Sequence, residues 1–142
     1  EKIPTIGVGV VTGGADYRRE RSVLQRSPTI VVGTPGRMLD HLRSGALNAS
    51  TIEHVVLDEA DRMLDMGFLP NIRRIVKDLP KKTRQTLLFS ATLSREIEKL
   101  THEFQYKPQT VEIPTEGYSS RLANFRVPAA EILPLRRKCG RW

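Results

Sequence analysis

Asp58, Glu59 and Asp61 put three carboxylates within four positions, directly after the branched apolar run Val55-Val56-Leu57. Acids at the end of an apolar strand suit a Mg²⁺–nucleotide site: one holds the hydrated metal and its neighbour polarises the water that attacks the γ-phosphate. The same acids would equally suit the first turn of a helix, where negative charge meets the positive end of the helix dipole. Ser90 and Thr92 follow the apolar stretch Leu87-Leu88-Phe89. Hydroxyls placed there can reach a carboxylate on a neighbouring strand, or simply end the strand and cap the next helix.

A second set of residues suits phosphate binding. Thr12-Gly13-Gly14 follows the apolar run Ile3–Val11 and forms a turn whose backbone amides a ligand can approach closely. Thr34-Pro35-Gly36-Arg37 follows Thr29–Gly33. Thr34 is a good N-cap and Pro35 suits the first helical position, so a helix begins there. Its free N–H groups and the donor fork of Arg37 together make a phosphate site; the plainer reading is a capped helix with a solvated arginine.

These residues must be held by regular elements, and the hydrophobic pattern supplies them. Ile3–Val11, Thr29–Gly33, Val55–Leu57, Gln85–Phe89 and Gln109–Ile113 read as strands. Val55–Leu57 reads as a strand buried on both faces, as in a parallel sheet. Between them, Ala15–Arg26 is a polar helix, and the Thr34-capped helix turns Met38, Leu39 and Leu42 inward. Leu69, Ile72, Ile75, Val76 and Leu79 form one helical stripe, and Leu93, Ile97, Leu100 and Phe104 another. Arg73 and Arg74 lie off the first stripe and are expected in solvent. The expected fold is therefore α/β, a parallel sheet flanked by helices, with its site at the carboxyl ends of the strands.

Composition narrows the class. The chain has 142 residues, 39% hydrophobic and 27% charged, with no run long enough for a membrane span and no signal peptide. One cysteine, Cys139, excludes an internal disulfide and fits a reducing, cytoplasmic setting. His41, His54 and His102 are scattered without metal spacing and read as surface or satisfied residues. The net charge is +7, but residues 119–142 carry six basic groups against Glu131 alone. Five of the seven charges therefore sit in that tail, so the basic balance says little about the folded part, and an RNA site must be argued locally.

Taken together, Thr12-Gly13-Gly14, Thr34-Pro35-Gly36-Arg37, Asp58-Glu59-Ala60-Asp61 and Ser90-Ala91-Thr92 resemble four ordered signatures of the DEAD-box RNA helicases, strongest toward the RhlE-like branch. The likeness runs from residue 1 to about 114, and four motifs in order are far more specific than any one. It implies an ATP-dependent enzyme that couples hydrolysis to RNA unwinding or remodelling. Asp58 would bind Mg²⁺ through water, Glu59 would activate the hydrolytic water, and Asp61 would bond to Ser90 and Thr92. Gly13, Gly14, Thr34, Pro35, Gly36 and Arg37 would hold RNA by sugar and phosphate, independently of sequence.

The chain also departs from that pattern. No Gly-x-x-x-x-Gly-Lys-Ser/Thr occurs in it, so the phosphate-cradling loop is absent, as are the adenine-reading segment and the second RecA-like domain. Residues 1–116 are thus expected to be the later part of a first, ATP-binding RecA-like domain lacking its P-loop strand. In the family's sheet order that loss would leave the Ser90 strand with an unpaired edge. Residues 117–142 match neither linker nor second domain and are expected to be disordered or opportunistically packed. Two functions stay open: part of an ATP-dependent RNA helicase, inactive alone and needing the missing segment and second domain as partners, or a non-catalytic RNA- or protein-binding piece.

Overall fold

The computed structural model describes residues 6–81, 83–111 and 124–128. The chain divides into two compact units, one of residues 1–53 with 62–84, the other of residues 54–61 with 85–142. Ile3 to Thr5, Glu112, Ile113 and the basic tail apart from residues 124–128 lie outside the described residues. Among the described residues no helix is long and apolar enough to cross a membrane.

In the first unit, β1 (Val8–Val11) and β2 (Ile30–Gly33) pair in parallel, Val8 opposite Ile30 and Val11 opposite Gly33. Between them runs α1 (Tyr17–Leu24), which packs on β1. Strand alternation sends Val11 fully inside, while Val8 and Val10 keep 56% and 58% of their surface exposed. Gly33 is obligatory where the two strands end: a Cβ there would collide with the carbonyl oxygen of Val11. After β2 come α2 (Pro35–Arg43), a single 3-10 turn (Ala49–Thr51) and, further along, α4 (Leu69–Asp78). Helices α2 and α4 pack on each other, with Leu39, Ile72, Val76 and Leu79 buried. Arg73 and Arg74 are exposed, as the stripe predicts.

In the second unit, β3 (His54–Leu57) and β4 (Gln85–Ser90) pair in parallel, and α5 (Arg95–Phe104) packs on β4. Ile97, Leu100 and Phe104 face inward with Leu88, but Leu93 precedes the helix and is exposed, because Ser94 is the N-cap and its side chain accepts from the Ile97 amide. Helix α3 (Ala60–Asp65) follows β3. The expectation that β3 is buried on both faces is not met: among the described residues it pairs with β4 alone, and Val56 is 57% exposed.

The α/β class with parallel strand pairs holds, but the strands form two sheets rather than one. The second is mixed, in the order β3-β4-β6-β5, with β5 (Pro108–Val111) and β6 (Asn124–Pro128) joined antiparallel. Strand β6 lies in the segment expected to be disordered or opportunistically packed, and it pairs antiparallel with β4, Ser90 opposite Asn124. The edge of β4 expected to stand open is therefore covered. The physical reason is that an open edge leaves a row of N–H and C=O groups that an extended segment of any sequence can satisfy.

Candidate functional site

The residues singled out in the sequence fall into two sets, one in each unit. In the first unit, β1 ends at Val11 and the chain turns through Thr12–Ala15, closed by the Ala15 amide donating to the Thr12 carbonyl at 3.3 Å. Gly14 has φ +90°, which the third position of a type II turn requires. A Cβ on either Gly13 or Gly14 would meet nothing within 4 Å, so both present open backbone. Asp16 then caps α1, its carboxylate accepting from the Arg18 amide at 2.8 Å. At the end of β2, Thr34 is extended and Pro35 opens α2, but the Thr34 hydroxyl makes no cap hydrogen bond. The expected cap exists in the backbone only, and the first-turn amides at Gly36 and Arg37 lack intrahelical acceptors.

Arg37 is not the solvated fork of the plainer reading, since its side chain is only 15% exposed. Nη2 donates to the Ala15 carbonyl at 3.2 Å, and Nη1 lies 3.4 Å from Glu20 Oε2. Glu20, itself 4% exposed, gathers two more donors: its Oε1 accepts from the Thr12 amide at 2.8 Å, and Oε2 lies 2.8 Å from His41 Nε2. His41 is fully buried, and Tyr17 stacks on its ring at 4.5 Å, with the Tyr17 hydroxyl donating to Ser44 Oγ at 2.7 Å. Burial alone would raise the Glu20 carboxyl. The hydrogen bonds from His41 and the Thr12 amide, with the charges of Arg37 and His41, outweigh it and hold the group below the ordinary glutamate value.

Sequence reasoning passed over Glu20. The available signal was slight: it stands four residues before Leu24, hence on the same inward face of α1. An acid on a buried stripe implies a partner, and the partners come from segments distant in sequence.

In the second unit, Asp58 and Glu59 follow β3 and are both exposed. Glu59 has φ +50°, a left-handed conformation that disfavours a side chain by about 1–2 kcal/mol. Its amide donates to Asp58 Oδ1 at 3.0 Å, which steadies the turn from strand into α3. Asp61, in the first turn of α3, accepts from both the amide and the hydroxyl of Thr92 through Oδ2, at 3.1 and 3.2 Å. Of the two hydroxyls expected on Asp61, Thr92 reaches it directly. Ser90, 3% exposed, donates instead to the Thr92 carbonyl at 2.8 Å and so braces the residue that makes the contact.

Mg²⁺ takes six oxygen ligands in near-octahedral array. Among the described residues no group of three or more His, Cys, Asp or Glu comes together to hold a metal. Asp58 and Glu59 are therefore not part of such a group among the described residues.

Comparison with known proteins supplies the context. The DEAD/DEAH box helicase family model matches residues 1–100. The ATP-dependent RNA helicase RhlB of Shewanella pealeana is 44% identical over 132 residues, covering 90% of this chain and 30% of the relative. The ATP-dependent RNA helicase CshA of Limosilactobacillus reuteri is 45% identical over 119 residues, covering 84% and 24%. A DEAD box protein from Methanococcus jannaschii superposes with a TM-score of 0.66 at 40% identity, over 70% of this chain and 27% of that structure. The chain therefore spans about 30% of the length of the RhlB relative it matches. These relatives lend no support to the expected RhlE-like branch.

Proposed function

Because the chain belongs to the DEAD/DEAH box helicase family, we propose that it is part of a cytoplasmic ATP-dependent RNA helicase, an RNA-stimulated ATPase that uses hydrolysis to unwind or remodel duplexes. The observation that carries this reading is the bond pair from Thr92 to Asp61, which ties the acidic strand end of β3 to the end of β4. Changes at a nucleotide held near Asp58 and Glu59 would pass through that link to Thr92 and Ser90.

Within this reading Asp58 contacts the nucleotide's Mg²⁺ through water and Glu59 polarises the attacking water. ATP and its metal supply the phosphoryl chemistry. The chain's own residues orient them, and the phosphate-cradling loop must come from a separate segment. Gly13, Gly14, Thr34, Pro35, Gly36 and Arg37 hold RNA by backbone and phosphate contacts, without base readout. The alternative is a non-catalytic RNA- or protein-binding piece with no nucleotide function.

The test is RNA-stimulated phosphate release by the gene product at the length of the relatives, native against Glu59→Gln. A fall of roughly a hundredfold or more at unchanged RNA affinity is expected for loss of a water-activating group. Unaltered release would leave the non-catalytic alternative standing.

A further inference from the structure

We propose that Glu20 is the positioning residue of the RNA-binding face, joining its two phosphate-contacting segments through one buried carboxylate. The inference rests on the RNA reading above and adds a residue to it. The β1–β2 ladder, with the Thr34 amide donating to the Val11 carbonyl at 3.2 Å, sets the starts of the two segments side by side, but the ladder stops there. The Thr12–Gly14 turn carries two glycines with open space around them, and the start of α2 lacks a side-chain cap at Thr34. Between them stands Glu20 on α1, whose Oε1 accepts from the Thr12 amide at 2.8 Å and whose Oε2 faces Arg37 Nη1 at 3.4 Å and His41 Nε2 at 2.8 Å.

The geometry is suited to that task. A carboxylate accepts several hydrogen bonds at once, and charged acceptors make stronger ones than neutral groups. At 4% exposure Glu20 itself is withdrawn from any ligand, so it acts through the groups it holds. Arg37 closes the loop by donating to the Ala15 carbonyl, the last residue of the turn that Thr12 begins. The turn is thereby held at both ends, by Glu20 at Thr12 and by Arg37 at Ala15. His41, on which Tyr17 stacks at 4.5 Å with ring planes 9° apart, lies against the carboxylate from α2. Phosphates along one strand are regularly spaced, so two segments share the strand only if their separation is fixed. Glu20 fixes it.

The experiment measures the dissociation constant of the full 142-residue chain for a fluorescein-labelled single-stranded RNA twelve-mer of uridine. Four proteins are compared: native, Glu20→Gln, Arg37→Gln and the double variant, each with its folded fraction read from a thermal melt. Both single variants are expected to weaken binding by about fivefold to tenfold, and the double variant no further than Arg37→Gln alone. A merely structural role would lower the melting temperature or the fraction of binding chains and leave the folded chain's constant unmoved.

If Arg37→Gln weakens binding while Glu20→Gln does not, or if the two losses multiply, the positioning role is overturned and the RNA reading survives. If Arg37→Gln has no effect, that reading's contact at Arg37 falls and the proposal falls with it. Should Glu20→Gln fail to fold, ¹⁵N spectra of the native chain decide. The Thr12 amide and the Arg37 Nε–H signals must then shift with the same RNA midpoint as Gly13 and Gly14, and shifts confined to one segment overturn the proposal.

Discussion

Glu20 and Asp61 illustrate how single side chains organise this molecule. Each is an acid placed early in a helix, and each accepts hydrogen bonds from a loop that follows a strand. Glu20 is the more buried, and its folded carboxyl is held below the ordinary value. Such a group takes up protons less readily folded than unfolded. Its contribution to stability is complete above the ordinary glutamate value and is lost as pH falls through the lower, folded value. Urea melts across the acid range should show this decline, and Glu20→Gln should flatten it. Asp61→Ala removes the acceptor for the Thr92 amide and hydroxyl, with an expected loss of about 0.5–1.5 kcal/mol in the same melts. The Asp-Glu-Ala-Asp motif and its Thr92 partner could be read in the sequence because their chemistry shows in residue type, whereas Ser90, also expected on Asp61, donates to the Thr92 carbonyl instead. Glu20 could not be read there, since its three partners come from sites 8, 17 and 21 residues away.

Among the elements, the helices and their inward faces were the most legible. The stripe Leu69, Ile72, Ile75, Val76, Leu79 predicts α4, and Ile97, Leu100 and Phe104 predict the buried face of α5. Strand partners were less so, because an apolar run states that it will be buried and not which edge it will meet. Strand β6 shows the difference. Its sequence, Asn-Phe-Arg-Val-Pro, ends in proline and lies within a basic segment, and its place comes from pairing with β4 on one side and β5 on the other. Ending the chain at residue 116 should therefore bare β4 and raise self-association, measurable by sedimentation. Unchanged monomer would show that the edge is shielded by other means. At the centre of the same sheet, Leu88→Ala should destabilise by roughly 2–5 kcal/mol, because Leu88 is 1% exposed and leaves a cavity behind.

At the scale of the whole molecule, the family and the α/β class were legible because four motifs in order constrain a fold far more than composition does. Its apolar surface was not. One face of the β1–β2 ladder leaves Val8, Val10, Ile30 and Val32 between 46% and 58% exposed, where parallel sheets are ordinarily covered on both faces. The net charge misleads for a related reason, since most of it lies in residues 119–142, away from the motifs. RNA affinity of the chain could thus arise from the tail or from the turn at Gly13, and these sources must be separated. Gly13→Glu separates them. A Cβ there meets nothing within 4 Å, so the fold accepts the side chain, while its carboxylate would repel a phosphate held at the proposed turn. Measured as the dissociation constant for single-stranded RNA at one fixed salt concentration, Gly13→Glu should bind about tenfold more weakly than the native chain, with an unchanged melting temperature. Equal affinity in the two proteins would contradict the account and assign the binding to the basic tail.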